Sequence, residues 1–342
     1  MHTEMLKTMK TFNTILLSLL LTGIMGCKKG TAILPENQET TLSNATAVAL
    51  AAAPVATVTV KVTTYNILSK DYDATFPNNM WVGRKDAVGN IIHQSNNVPE
   101  ILGIQEGQNL AQVNDVVSRM GSGYDNYVSN RNISARAIFW KNDKYELVAS
   151  DTKELLSAAV SGYTSQRYAS YVRLRHIATG KMLIVFNVHL PAGADAVTAQ
   201  IRFDMATNLA GKVQQFSSDY GNIPVIVMGD FNSYYNTVIN GLISAPAWLT
   251  SLGLSDTYAA CPSASRLNPN YETKNDMVNA KAKSAANGSK RLDYIFTYPA
   301  ANITVLDWRN IINFVSGSTV NLVTPVPSDH NPVRSRLTLN WY

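Results

Sequence analysis

The chain has 342 residues, 46% of them hydrophobic and 15% charged, with a formal net charge of +5. This is globular composition with ample apolar material for a core, which excludes a disordered or collagen-like chain. Length allows one large domain or two small ones, and two cysteines, Cys27 and Cys261, allow one disulfide at most.

The first segment reads as separate from any fold. Lys7 and Lys10 precede an apolar stretch from Ile15 to Met25, which Gly26 and Cys27 close. A basic start, a short apolar run and a small residue before the cut describe a secretory signal. The run is too short for a comfortable membrane span. Ile24-Met25-Gly26-Cys27 resembles the end of a bacterial lipoprotein signal, although Met25 is not the commonest residue before the small one. That resemblance implies a signal peptide over 1–26, lipid on Cys27, and a membrane-anchored location in the bacterial cell envelope. Plain secretion with cleavage nearby is the alternative. Loss of residues 1–26 removes Lys7, Lys10 and Glu4 and leaves +4. Such a mild excess suits an anionic substrate or surface without establishing nucleic-acid binding. Residues 27–57 are rich in Ala, Thr, Asn and Glu, carry Pro35 and Pro54, and read as a flexible tether.

From Val58 the pattern becomes that of a domain, 58–342. Val58, Val60 and Val62 alternate with Thr59, Lys61 and Thr63, the strand period, and the run ends in Thr64-Tyr65-Asn66. A helix is expected around Arg84 to Ser95. Ile101 to Glu106 is an apolar run closing on a carboxylate, and Leu110 to Met120 has helical spacing. Strands follow at Ala137–Trp140, Tyr145–Ala149, Arg167–Arg173 and Met182–Val188, the last ending at His189. A helix over 196–216 places Ile201, Met205, Leu209 and Val213 on one face.

Val225-Ile226-Val227-Met228 is a short buried strand that Gly229 breaks, with Asp230 and Asn232 at its end. In α/β proteins that edge is where ligands bind. Residues 261–289 are polar and irregular and read as a long loop. Leu292–Phe296, Thr304–Trp308 and Val333–Leu339 are the last strands. Strands mixed with helices throughout argue one α/β domain with mixed sheets.

The polar residues that end or interrupt apolar strands are Asn66, Glu106, His189, Asp230, Asn232, Asp293, Asp329 and His330. Each alone has a plain explanation as a turn or cap residue. Asp293 resists it, because a carboxylate inside an apolar run must be paired or bound.

Together, in chain order, they resemble the endonuclease/exonuclease/phosphatase family of the DNase I-like superfamily. The matching segments are Thr64-Tyr65-Asn66-Ile67, Pro99 to Glu106, Asn187-Val188-His189-Leu190, Gly229-Asp230-Phe231-Asn232, Arg291 to Phe296, and Ser328-Asp329-His330-Asn331-Pro332. The resemblance spans roughly 58–340. It implies a four-layer α-β-β-α sandwich of two mixed β-sheets flanked by helices. It also implies metal-dependent hydrolysis of a phosphoester by activated water.

Phosphodiesters are anionic and repel nucleophiles, so hydrolysis needs a cation on the phosphate oxygens, an oriented water and charge stabilisation. Mg²⁺ suits this chemistry, because it prefers oxygen ligands and keeps waters; Mn²⁺ and Ca²⁺ are alternatives. The resemblance gives Glu106 as main metal ligand, with Asn66 beside it and Asp329 as a third metal-side group. Asp230 positions or deprotonates the water, and Asn232 orients Asp230. His330 faces phosphate, Asp293 holds its imidazole, and His189 is the second phosphate-facing histidine. Arg167, in Arg167-Tyr168-Ala169-Ser170-Tyr171, sits where many members carry a phosphate-contacting Arg.

Two departures stand out. Ser134-Ala135-Arg136-Ala137-Ile138 lacks the acid that some members place against the first histidine. The 261–289 loop, with Lys274, Lys281 and Lys283, matches no subfamily pattern; a solvated insertion is preferred over a role in substrate choice. Expected substrates are nucleic acid, a phospholipid headgroup or a sugar or inositol phosphate, with no protein partner. The competing reading is a surface binding module with the same fold and no turnover.

Overall fold

The computed structural model describes residues 53–94, 96–107, 109–129, 135–156 and 167–342. The signal segment, Cys27 and most of the tether lie outside the described residues.

The alternation of the first strand starts the architecture. β1 (Ala56–Asn66) pairs antiparallel with β15 (Val333–Trp341) and parallel with β2 (Ile101–Gly107). These are the centre of a seven-stranded sheet. Beyond β15 it adds β14 (Ile303–Asn310) and β12 (Arg266–Leu267); beyond β2, β4 (Ala135–Lys141) and β3 (Tyr124–Ser129). A six-stranded sheet runs in the order β11 (Ser255–Asp256), β13 (Asp293–Tyr298), β8 (Val225–Asp230), β7 (Met182–His189), β6 (Arg167–His176), β5 (Tyr145–Leu156). Its one parallel pair is β7–β8. A two-stranded ribbon, β9 (Val238–Ile239) and β10 (Leu242–Ile243), stands apart from both.

Period-two patterning decides the layers. Val58, Val60, Val62 and Ile101 join the core with Leu183, Val185, Ile226 and Met228 of the second sheet. Each such side chain taken from water is worth roughly 1.5–3 kcal/mol. On its other face the first sheet buries Tyr65, Leu102, Ile104 and Phe139 against α1 (Trp81–Ile92) and α2 (Leu110–Met120). α3 (Ala196–Asp219) covers the second sheet, and its Phe216 meets Phe186 of β7 edge-on at 5.7 Å. Asn109 and Asp195 cap α2 and α3 by accepting from Gln112 N and Thr198 N. Two short helices, α4 (Ala245–Ser251) and α5 (Thr257–Ala260), complete the chain. The expected architecture of two mixed sheets flanked by helices is thus the observed one.

Two glycines allow the close approach that the site needs. A Cβ at Gly103 would lie 2.6 Å from Met228 Cε and 3.1 Å from Asn187 Cγ of the facing sheet. At Gly229 it would lie 2.1 Å from the Val188 carbonyl oxygen, so no side chain fits without parting β7 from β8.

Several elements differ from expectation. β3 was not expected, because Asp125, Asn126 and Ser129 dilute its pattern; it is an edge strand paired only with β4. β5 continues to Leu156, and α1 begins at Trp81 rather than Arg84. The 261–289 stretch is not a solvated insertion. Its Glu272, Thr273, Asn275 and Met277 are buried. Backbone bridges tie Tyr271 to Ser284 and Lys274 to His330. Its polar side chains satisfy buried backbone groups, which a hydropathy reading cannot distinguish from exposure to water.

Candidate active site

Strand register brings the site together. In the second sheet His189 is parallel partner to Asp230, and Asp230 is antiparallel partner to Asp293. Three expected residues therefore stand in one row across β7, β8 and β13. In the first sheet Asn66 is the parallel partner of Gln105, which precedes Glu106. Asn66 Nδ2 spans the gap between sheets, donating to Glu106 Oε1 at 2.8 Å and to Asp230 Oδ2 at 3.0 Å. Its Oδ1 accepts from Leu68 N at 3.0 Å.

Glu106 is aimed by a backbone irregularity. Strict alternation would put it on the face of Leu102 and Ile104, beneath α2. Instead the β2–β4 register shifts between Ile104 and Gly107, and Glu106 adopts φ 61°. Bulges re-aim side chains in this way beside active sites. Oε2 then accepts from Ser69 N at 3.1 Å.

Asp230 is 1% exposed. Its Oδ1 accepts from Asn232 N at 2.8 Å. Burial pushes its carboxyl up from the ordinary value; His330 pulls it back, Asp293 adds to the rise, and His189 opposes it. His330 bridges the two acids. Its Nδ1 lies 2.9 Å from Asp293 Oδ2, and its Nε2 lies 3.8 Å from Asp230 Oδ2. Burial would lower the imidazole, but Asp293, Asp230 and Asp329 prevail and raise it to about 10, so it is a cation at neutral pH. His189 Nε2 lies 3.2 Å from Asn232 Nδ2, 3.6 Å from Glu106 Oε1 and 3.7 Å from Asp230 Oδ2. The missing acid before β4 is thus answered on the Nε2 side by Glu106 and Asp230.

Asp329 stands somewhat apart, with Oδ2 at 3.2 Å from Lys274 Nζ. Burial raises its carboxyl, while His330 and Lys274 overcome that and hold it low. Arg167 opens β6 at the same end of the second sheet, since Ser170 pairs with Asn187. Its side chain lies outside the described residues. Glu106, His189, Asn232, Asp329 and His330 line one cleft of about 570 Å³ together with Tyr72 and Phe76.

Two residues escaped sequence reasoning. Lys274 lines the cleft from the polar stretch read as solvated. Arg84 is fully buried, and among the described residues its hydrogen-bond acceptors are backbone carbonyls. Its Nη1 donates to Ile67 O and Pro327 O at 2.6 and 2.9 Å, and its Nη2 to Leu68 O at 2.6 Å. It thereby joins the segment after Asn66 to the one before Asp329. An arginine at an otherwise buried helical position was the available signal. Arg84→Met should lower stability by about 3–5 kcal/mol, since three buried carbonyls lose their donor. Denaturant unfolding measures this, and a change under about 1 kcal/mol would remove the clamp from the account.

Glu106, His189 and Asp230 each offer a ligand atom, all within 4.8 Å of one another; Asp230, Asp293 and His330 form a second such group. In the second group, His330 Nδ1 is committed to Asp293. The first fits a divalent cation: two carboxylate oxygens crowd one amide nitrogen, and a hard cation would relieve their repulsion. Asp329 Oδ1 is buried with no hydrogen-bond partner among the described residues, but Asp329 belongs to neither group.

A sandwich of this design with acids and imidazoles meeting at one sheet edge defines a class. The profile of the Endonuclease/Exonuclease/phosphatase family matches residues 63–330, and the chain belongs to that family. Among curated relatives it is 27% identical to Nocturnin of Drosophila melanogaster over a 213-residue alignment that covers 57% of this chain and 31% of that protein. It is 24% identical to the carbon catabolite repressor protein 4 homolog 3 of Arabidopsis thaliana over 139 residues, 40% of this chain and 30% of that one. The chain spans less than a third of the length of the curated relatives it matches. Its fold is shared with a mannosyl-6-phosphatase of Bacteroides thetaiotaomicron, at TM-score 0.65 and 22% identity, covering 81% of this chain and 99% of that one.

Proposed function

We propose that this chain is a divalent-metal-dependent phosphoester hydrolase acting by in-line attack of water on phosphorus. The carrying observation is the placement of Asp230. Its carboxylate is buried, fixed by the Asn66 amide and the Asn232 N–H, and flanked by two imidazoles. A carboxyl raised by burial is a better proton acceptor than an ordinary one.

In this reading Asp230 Oδ2 accepts the proton of the attacking water as the new P–O bond forms and the bond to the leaving oxygen breaks. The His330 imidazolium, held at Nδ1 by Asp293, donates through Nε2 to a phosphate oxygen and opposes the growing negative charge. His189 presents Nε2 to the same space, and Asn232 anchors the turn after Asp230 through Leu190 O at 2.9 Å. Glu106 is the main metal ligand, and Asn66 supports it by donating Nδ2 to its Oε1; Asp329, outside both candidate groups, is engaged by Lys274. A bound Mg²⁺ or Mn²⁺ would supply charge neutralisation at the phosphate and the leaving oxygen. The family's membership in phosphoester chemistry and the likeness to Nocturnin and to a sugar-phosphate phosphatase support this reading.

Chelation should abolish hydrolysis of p-nitrophenyl phosphate esters, and Mg²⁺ or Mn²⁺ should restore it. Glu106→Gln should raise the metal concentration for half-maximal rate by at least about tenfold, the scale on which metal sites lose affinity when even outer partners are changed. Turnover that persists in excess EDTA would refute metal dependence.

Export with lipid on Cys27 is part of the same proposal, motivated by Lys7, Lys10, the apolar run and Gly26-Cys27. Cys27→Ser should abolish incorporation of labelled palmitate and shift the protein from membrane to soluble fractions. An unchanged label would place the attachment elsewhere.

A further inference from the structure

We infer that Lys274 reads the third non-bridging oxygen of a phosphomonoester, which makes this cleft a site for the phosphate of a small alcohol rather than for a nucleic-acid backbone. The inference rests on the hydrolase reading above and adds the substrate class.

The first ground is how Lys274 is held. Exposed lysines on loops are ordinary and carry no message. Here both neighbours are buried and bonded to the catalytic segments. Thr273 Oγ1 accepts from Leu292 N and Asp293 N at 2.9 and 3.3 Å, and Thr273 O accepts from Asn331 N at 2.7 Å. On the other side Asn275 N donates to Asp329 O at 2.8 Å, and Asn275 Nδ2 donates to Ser328 O at 2.9 Å. Lys274 itself is the backbone bridge partner of His330. The residue is thus part of a short strand-like pairing with the Asp329-His330 segment, and its side chain starts from a fixed point.

The second ground is what Nζ does. Among the described residues its one recorded partner is Asp329 Oδ2 at 3.2 Å, and the side chain is 41% exposed along the cleft. An ammonium has three donors, so two remain for a ligand. Lys274 is also the one Lys or Arg among the described residues lining the cleft. Beside it the described lining carries acidic Asp71 and uncharged Tyr72, Thr75 and Phe76. A polymer backbone would call for a line of cations. A volume of about 570 Å³ is that of a small-molecule site.

The chemistry then selects the ester. A monoester has three non-bridging oxygens and carries close to two negative charges at neutral pH, whereas a diester has two such oxygens and one charge. The imidazoles of His330 and His189 and a metal-side group serve the two oxygens that both esters present. A lysine fixed beside His330 accounts for the third. In a diester that oxygen bears carbon, and it is a poorer acceptor.

The test compares p-nitrophenyl phosphate with methyl p-nitrophenyl phosphate, which share a leaving group and differ in the third oxygen. Full chain, Lys274→Met, Lys274→Arg and Asp230→Ala are assayed with Mn²⁺ and with Mg²⁺, and inorganic phosphate binding is followed by calorimetry. Lys274→Met should lower the monoester-to-diester ratio of kcat/KM by about ten- to a hundredfold, the scale of one charge-assisted hydrogen bond. The loss should fall mainly in KM, phosphate should bind correspondingly more weakly, and Lys274→Arg should recover part of the ratio. Equal losses on both esters would overturn the proposal and leave Lys274 as a counter-charge to Asp329. Retention of phosphate affinity in a folded Lys274→Met protein would overturn it as well. If neither ester is turned over, or Asp230→Ala is as active as the parent, it is the hydrolase reading that fails, and the substrate assignment with it.

Discussion

Asp230→Ala should yield a folded protein whose turnover of any phosphoester is lower by at least about 10³-fold, the scale of a lost general base. Three features of the site make the loss large. Asp230 is the one carboxylate that contacts Asn66 of the first sheet while sitting beside His189 and opposite Asp293 in the second. Its Oδ1 is tied by Asn232 N, so Oδ2 is held towards the cleft side where Glu106 also points. The neighbouring acids are engaged elsewhere, Asp293 with His330, Asp329 with Lys274, and Glu106 with Asn66 and Ser69 N. Stability should change little, because deletion removes a buried acid that burial already disfavours in its charged form. Steady-state rates beside thermal melting decide the matter. A variant within a few-fold of the parent rate would displace Asp230 from the reaction.

The second large effect is expected at the His330–Asp293 pair. His330→Ala should cost about 10²–10³ in kcat, the scale of one electrostatic donor at a developing charge. It should also destabilise the fold by about 3–5 kcal/mol, because Asp293 would remain buried without its partner. Asp293→Asn separates the two effects by keeping the shape of the side chain. The charge on Asp293 is the foremost cause that raises the imidazole towards about 10, against burial, which lowers it. Its loss lowers the pKa, so the cation disappears at lower pH. The alkaline limb of the pH–rate profile should therefore move to lower pH in Asp293→Asn. An alkaline limb that stays in place would detach this pair from the rate.

Much of the site was legible because its residues end apolar runs. Asn66 closes β1, His189 closes β7 and Asp230 closes β8, and each stands where hydropathy breaks. Asp293 was read as interior to its run. It opens β13 instead, and being opposite Asp230 explains why it tolerates burial: His330 lies between them. Glu106 shows the limit of periodicity. Its place in the run was clear, but alternation gives the wrong face, and only the bulge and φ 61° turn it to Asn66. Lys274 and Arg84 were less legible still. One stands in a stretch whose polarity reads as solvation, and the other spends its donors on backbone carbonyls that carry no sequence signature.

Local pattern alone determined the α/β class, the first and last strands, α2 and α3, and which polar residues could do chemistry. These follow from side-chain periodicity and from the cost of burying charge, both properties of neighbours along the chain. Which acids meet which imidazoles was decided only by folding. Registers between β7, β8 and β13, and the reach of Asn66 from one sheet to the other, join residues up to 164 positions apart. Distances of that kind depend on how two sheets pack, which Gly103 permits by what it lacks, as Gly229 permits the close pairing of β7 with β8.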